Sequence, residues 1–345
     1  MLHTTIHLDD DDDGGGGRQL TYEVWRSSVA DARCRQLLAN MQLLVVLFIE
    51  GATAIDLDDE EWSSRRWEVF FLYEKKQAQA QGEEQLYAFM GYCTLYRYYF
   101  FDRQSADRAR VRLSQFLILP PYQRQGHGSR FYDAILQHYL AAAEVCEITV
   151  EDPSEEFGDL RDRQDMARLE RSDADFRSLE LAAVVEDAGV KTRTGAGAGA
   201  GALARKVSLE AMQRRAKMPS RQFRRCVEMK LLQRLDAMDR RAHRAFRLLV
   251  KRRIYKQHAD VLAQLDRLER IDKLDETFHH VEDDYRRLLL TMRRERVEEA
   301  DEEPAGDREG KRQAEGGPGG EDAVRPRKKP RVAAVEAVGE EEDVV

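Results

Sequence analysis

Residues 110–129, Arg-Val-Arg-Leu-Ser-Gln-Phe-Leu-Ile-Leu-Pro-Pro-Tyr-Gln-Arg-Gln-Gly-His-Gly-Ser, constrain the fold more than any other stretch, because they set a strand, a glycine loop and a helix in that order. Val111, Leu113, Phe116, Leu117, Ile118 and Leu119 are strand formers, and Pro120 and Pro121 end the ladder. Phe131, Ile135, Leu136, Tyr139 and Leu140 then return at helical spacing. Gln123, Gly126 and Gly128 spell Gln-x-x-Gly-x-Gly. Glycines let a phosphate approach the backbone N–H groups that a helix N-terminus leaves unpaired and slightly positive. The expectation is a pyrophosphate cradle, although a plain turn between strand and helix would use the same residues. The spacing is not the Gly-x-Gly-x-x-Gly of dinucleotide folds, and no Gly-Lys-Ser/Thr follows as in nucleoside triphosphatases.

The 345 residues suffice for one or two domains with real cores. Charge is spread in blocks: 22 Lys and Arg against 35 Asp and Glu over residues 1–204, 26 against 14 over 205–296, and 8 against 15 beyond. An acidic front suits a cationic partner, and the basic middle and acidic end read as a surface and a solvated tail. Cys34, Cys93, Cys146 and Cys226 lack Cys-x-x-Cys spacing, so neither a disulfide framework nor a zinc site is expected. No apolar run approaches membrane-spanning length.

Asp9–Asp13 and Gly14–Gly17 read as an unstructured arm covering residues 1–19. A buried helix is expected from Ala30 to Ile49, stopped at Gly51. Trp67–Tyr73, Leu86–Tyr99, the strand before the glycine loop and Cys146–Val150 predict a mixed sheet, giving an α+β domain over 20–188. The Gly-Ala repeat Gly195–Ala202 reads as a linker at 189–204. Helical seams through Phe223, Val227, Leu231, Leu235 and Met238, and through Leu274, Phe278, Val281, Tyr285, Leu288 and Met292, predict a helical module over 205–296. Residues 297–345 read as a disordered acidic tail, in which Arg325–Arg331 forms a basic block that suits a nuclear localisation signal.

Glu151 and Asp152 follow a strand directly, at the edge where a sheet opens. Solvated loop acids would look the same, but acyl transfer to an amine gives them a task. A lysine ammonium with a pKa near 10.4 is only about one part in a thousand neutral at pH 7, so a carboxylate that accepts its proton removes a large penalty. A cysteine thioester route is the competing mechanism, but no cysteine has a histidine or helix N-terminus beside it in sequence. No His/Cys/Asp/Glu set has metal spacing, and no metal is expected. Gly91–Phe101 is an aromatic strand whose alternation sets Tyr92, Tyr96 and Tyr98 on one face, able to serve as core or to line a peptide groove.

The Gln-x-x-Gly-x-Gly loop resembles motif A of the GNAT acetyltransferases, which holds the pyrophosphate of acetyl-CoA. More closely, Ser114–Ser129, Ile148–Ser154, Asp159–Arg163, Phe48–Trp62 and Gly91–Tyr99 together resemble the catalytic subunit of type B histone acetyltransferases. The resemblance runs from about Tyr22 to Met292 and implies a GNAT fold with a C-terminal helical module, acetylating tail lysines of newly made, non-nucleosomal core histones, histone four above all. By it, Phe116, Leu117 and Ile118 pair through their backbone with the pantetheine arm of acetyl-CoA. Gln123, Arg124, Gln125, Gly126, His127, Gly128 and Ser129 hold the pyrophosphate, and Ser154 and Arg163 contact the cofactor. Glu151 takes the place of the general base, with Glu50 and Asp152 as supporting acids. Trp62, Tyr96, Arg97 and Tyr98 fall where the family touches the histone tail. A WD40 histone chaperone is the implied partner; nucleus and cytoplasm are the expected locations, no membrane contact is expected, and direct nucleic-acid contact belongs to a rival reading. Against the family pattern, the chain is expected to lack the N-terminal domain that walls the histone groove. The rival readings are a GNAT enzyme acting on a non-histone amine, and a non-catalytic histone- or nucleic-acid-binding protein.

Overall fold

A computed structural model describes residues 2–4, 21–76, 85–101, 108–189 and 208–302. Most of the arm, the Gly-Ala repeat and the basic block at 325–331 lie outside the described residues. Residues up to Arg294 form one compact unit; of the second, Glu295–Val345, the described part is the helical end at 295–302.

Six strands form one sheet in chain order: β1 (Leu2–Thr4), β2 (Thr21–Ser28), β3 (Trp67–Lys76), β4 (Leu86–Tyr99), β5 (Ala109–Ile118) and β6 (Val145–Val150). Neighbours are antiparallel except β5 and β6, which are parallel as a helical crossover requires. The sheet is thus mixed, as expected. β1 corrects the reading of residues 1–19 as arm throughout, since Leu2–Thr4 pairs with Val24–Arg26 of β2.

Each face of the sheet carries its own core. Helix α1 (Ala32–Phe48), N-capped by Asp31, turns Cys34, Leu38, Met41 and Val45 onto Val69, Phe71, Tyr92 and Leu117. After it come α2 (Glu60–Arg66) and then the crossover helix α3 (His127–Ala141), which sets Phe131, Ile135, Leu136 and Tyr139 against Phe70, Met90, Cys93, Leu95, Val111 and Leu113 on the opposite face. Residues 69–72 alternate between the two cores, the period-2 signature of a strand buried on both sides.

The remaining helices are α4 (Glu155–Ser172), α5 (Ala174–Arg177), α6 (Leu181–Asp187), α7 (Leu209–Ala216), α8 (Ser220–Arg234), α9 (Arg240–Gln257), α10 (Ala259–Leu262) and α11 (Arg267–Glu302). Their core includes Phe223, Val227, Leu231, Phe278, Tyr285, Leu288 and Met292 from the seams read in the sequence. It also takes in Met166, Leu169, Phe176, Leu179, Val184 and Val185, upstream of the Gly-Ala repeat. The helical core is therefore shared across the boundary placed at 189. Helix α4 presents one face to the sheet domain and the other to this core. Buried Asp162 and Asp165 on α4 meet Gln222 at 2.8 and 3.2 Å, and Arg225 reaches Asp162 at 2.5 Å.

Candidate active site

The β4–β5 register slips by one residue: Thr94 faces Gln115 but Leu95 faces Leu113, which leaves Ser114 as the extra residue of a β-bulge. Leu113 and Phe116 both pack on the α3 side, while Ser114 and Gln115 both line a cavity on the α1 side. At the same level β6 leaves β5: the last paired residues are Leu113 and Val150, closed by Glu151 N–H donating to Leu113 C=O at 2.9 Å. The outer edge of β5 from Ser114 to Ile118 therefore faces an opening, and Glu151 stands at its apex.

The Ser114 hydroxyl donates to Glu151 Oε2 at 2.7 Å, and Arg112 Nη1 stands 3.9 Å from Oε1. Glu151, Ser114, Gln115, Thr53–Asp56, Asp59, Trp62, Ser63, Trp67 and Tyr96 line a cavity of about 340 Å3. Its far wall is the α1–α2 loop, held by three contacts. Gln42 clamps the Ile55 peptide, with Nε2 donating to its carbonyl at 2.8 Å and Oε1 accepting its N–H at 2.5 Å. Gln115 Nε2 donates to Thr53 C=O at 3.1 Å, and the Ser63 hydroxyl donates to Asp56 C=O. Trp67 and Tyr96 stack at 4.8 Å, while Trp62 is 44% exposed at the rim with Arg66 over its ring. Burial, then the Glu151 charge, pushes the Tyr96 phenol above its ordinary value, so it stays a hydrogen-bond donor. Acids at 56, 59 and 151 among aromatic rings suit a cation on an apolar stem.

On the other side of the opening, the glycine loop has the expected form. Gly126 has φ +78°, a backbone state that favours glycine, and it caps α3. A Cβ on Gly128 would stand 3.2 Å from Leu160 and 3.8 Å from Ile118, so a bare backbone here lets the first turn of α3 pack closely on β5 and α4. Gln123 Nε2 donates to Ile118 C=O at 2.7 Å and Gln125 Nε2 to Pro121 C=O at 2.9 Å, which ties the loop to the end of β5. These features fit a pyrophosphate. The His127 ring is buried against Tyr22, leaving its backbone as the part at the cradle. Phe116 packs on Phe157 at 4.9 Å, with Leu117 and Ile118 in opposite cores, so all three can offer backbone groups only. Ser154 caps α4 by accepting from Phe157 N–H at 3.3 Å; Arg163 Nε donates to Asp159 C=O at 3.4 Å, one turn back along the same helix.

Three expectations are altered. Arg97 does not join Tyr96 and Tyr98: strand alternation turns it to the α3 face, where it pairs with Glu68 and Glu144, each at 3.0 Å. Glu50 is exposed in the turn after α1 and does not line the cavity. Asp152 is exposed beside Glu151, with φ +29°. Conversely, Ser114 and Gln115 enter the site through a bulge, and Gln42 through a loop contact, for which strand and helix periodicity carry no signal.

Among known proteins, residues 2–50 match the family model described as histone acetyl transferase HAT1 N-terminus, and residues 38–157 that of the GNAT acetyltransferase family. The first match corrects in part the expectation of a missing N-terminal domain, since this piece of it is present. The chain is 34% identical over 316 residues to a histone acetyltransferase type B catalytic subunit of Gibberella zeae, covering 79% of this chain and 64% of that protein. It is 32% identical over 346 residues to one from Neurospora crassa, covering 83% and 66%. A third, from Mycosarcoma maydis, is 37% identical over 264 residues, covering 76% and 53%. The chain thus spans somewhat less than two thirds of the length of these relatives. With its mixed sheet parting at Glu151 and its glycine loop at the head of α3, the chain has the GNAT fold, matches the GNAT family model over residues 38–157 and is similar to type B histone acetyltransferase catalytic subunits.

Proposed function

We propose that this protein is an acetyl-CoA-dependent lysine acetyltransferase acting on histone tails, that of histone four first. The observation that carries the reading is the position of Glu151, on a cavity lined by acids and aromatic rings that suits a lysine side chain, at the open edge of the strand that leads into the glycine loop. Residues 123–129, with Ser154 and Arg163, would hold acetyl-CoA, which supplies an activated acyl thioester. The backbone of Phe116–Ile118 would align it along the open edge of β5. Trp62, Tyr96 and Tyr98 would flank the lysine stem, and Glu151 would take the ammonium proton, with Asp152 at the exit to solvent; the neutral amine would then attack the thioester carbonyl, the C–S bond would break, and CoA would leave as the thiol, its thiolate taking the second proton of the amine. Arg97 and Glu50 take no part beyond shaping the surroundings. A WD40 histone chaperone as partner, and work in both nucleus and cytoplasm, complete the reading.

The test is acetyl transfer to histone tail peptides by the chain as it stands, with Glu151→Gln beside it. Transfer to the histone four tail that drops by orders of magnitude in the variant, while acetyl-CoA still binds, supports the proposal. Transfer to other amines with indifference to histone tails would support a GNAT enzyme of different specificity instead.

A further inference from the structure

Helix α9, Arg-Arg-Ala-His-Arg-Ala-Phe-Arg-Leu-Leu-Val-Lys-Arg-Arg-Ile-Tyr-Lys-Gln, carries eight basic residues in eighteen and no acid. Such a helix opposes itself. Arg240/Arg244, Arg247/Lys251 and Arg252/Lys256 are like-charge pairs one turn apart, and Arg240 and Arg241 sit in the first turn, where the helix dipole disfavours cations. Part of that repulsion is relieved by the fold. Arg247 and Lys251 share Asp275 at 2.9 and 2.6 Å, Arg253 meets the buried carboxylate of Glu228 at 2.7 Å, and Arg252 donates to Gly189 C=O at 2.5 Å. The rest is not. Arg240, Arg241, Arg244 and Lys256 are exposed, as is Arg224 of α8, and none of their side chains has an ion-pair or hydrogen-bond partner among the described residues.

Among the unrelieved charges, Arg241 and Arg244 lie on one face with Arg252, which has a carbonyl but no carboxylate partner among the described residues. Arg241, Arg244, Leu248, Arg252 and Tyr255 step by three or four and share one face of α9. On it Leu248 and Tyr255 are left 39% and 40% exposed. Beside this face, α6, α7, α8 and α9 enclose a cavity of about 180 Å3 with Val184, Val227 and Leu249 among its apolar lining; on its polar side Arg224, Arg252, Arg253 and Lys256 outnumber the carboxylates of Asp187 and Glu228, and Glu228 is already paired with Arg253. A cationic stripe would attract any polyanion. An apolar cavity beside it fits a polymer that carries apolar side chains, which nucleic acid does not.

We propose that the α8–α9 face is a docking surface for an acidic peptide segment of a partner protein, with carboxylates on Arg224, Arg241, Arg244 and Lys256 and one apolar side chain in the cavity beside Leu249. From Arg241 to Tyr255 the helix runs about 21 Å, the span of roughly six extended residues. This surface is separate from the cavity at Glu151, and acetyl transfer need not depend on it.

Fluorescence anisotropy with the full chain tests it, using a short labelled Glu/Asp-rich peptide with a central phenylalanine, its alanine twin, and a short DNA duplex. The phenylalanine peptide should bind about ten-fold or more tighter than the twin, reflecting burial of the ring. Arg224→Glu with Lys256→Glu should weaken it about ten-fold or more, leaving the melting temperature and acetyl-CoA binding unchanged. Absent binding at low salt, or equal binding of the two peptides, would overturn the proposal. Tighter binding of the duplex than of either peptide, weakened by the same pair of changes and falling steeply with salt, would overturn it in favour of nucleic acid.

Discussion

Ser114 and Glu151 are joined by a 2.7 Å hydrogen bond across the point where β6 parts from β5, and the bond exists because Ser114 is the residue the β4 ladder skips. The hydroxyl holds Oε2, while Oε1 has Arg112 Nη1 at 3.9 Å, too long for a hydrogen bond, and so keeps acceptor capacity for an amine. Ser114→Ala is expected to lower kcat by about ten-fold, the worth of a hydrogen bond to a charged group, with KM for acetyl-CoA unchanged. Ser114→Thr, which keeps the hydroxyl, is expected to restore most of it. Steady-state kinetics on a histone tail peptide decide the matter, and equal rates for Ser114→Ala and the parent would show that Glu151 needs no such restraint.

Two glycines within the sheet domain and α4 respond oppositely to the same change. A Cβ on Gly91 would fall inside contact distance of the Leu117 carbonyl, a backbone atom that cannot turn aside, so β4 and β5 approach closely only because position 91 is bare. Gly91→Ala is expected to cost about 2 kcal/mol or more and to disturb the β5 end that leads into the glycine loop. Gly158, inside α4, has nothing within 4 Å of its would-be Cβ, so Gly158→Ala is expected to stabilise by roughly 0.5–1 kcal/mol. Urea denaturation of both variants reads the contrast.

Glu68 is buried on the α3 face, 9% exposed, where it meets Arg26 at 2.8 Å, Arg97 at 3.0 Å and the Tyr139 hydroxyl at 2.6 Å. Burial alone would raise its pKa; Arg26, Tyr139 and Arg97 outweigh that and hold the carboxyl below its ordinary 4.5. A carboxyl depressed by folding stabilises the native state above the unfolded value and loses that contribution as pH falls through the native one. Stability should therefore decline below about pH 4.5. Glu68→Gln should flatten that decline, while costing about 3 kcal/mol at pH 7 because two arginines lose their buried partner. Denaturant midpoints between pH 3 and 7 test both parts, and an unchanged acid slope in the variant would refute the assignment.

Lys217 fastens the helical module to the sheet domain. Its Nζ donates to the carbonyls of Tyr139, Leu140 and Ala142 at 3.0, 2.9 and 2.6 Å, capping the C-terminus of α3, while its own carbonyl accepts from Ile148 N–H of β6 at 2.8 Å. Lys217→Met keeps the stem but strands the helix-end carbonyls. A loss of about 2 kcal/mol is expected by thermal or urea denaturation. A melting temperature equal to that of the parent would mean that those carbonyls are satisfied otherwise.

Much of the candidate site is legible in the sequence because its parts are local. The proline stop and the glycines at 126 and 128 lie within one short run, so a strand, a glycine turn and a helix followed from residue order. Glu151 was legible for the same reason, being the first residue after an apolar strand. Periodicity also placed Tyr92, Tyr96 and Tyr98 on one face, as the cores and the cavity bear out for the first two. The same alternation turns Arg97 away from them, to its ion pairs with Glu68 and Glu144.

By itself, then, the sequence determined the strands β3 to β6, the helices α1 and α3, where the glycine loop lies and which acid follows β6, since backbone preference and hydrophobic period act over a few residues. Only the tertiary structure decided that Ser114 and Gln115 both turn into the cavity, that Gln42 pins the opposite wall, that Glu50 stays outside it and that Lys217 caps a helix far away in the chain. Each depends on a register slip or a contact between distant segments, set by how two cores pack on one twisted sheet.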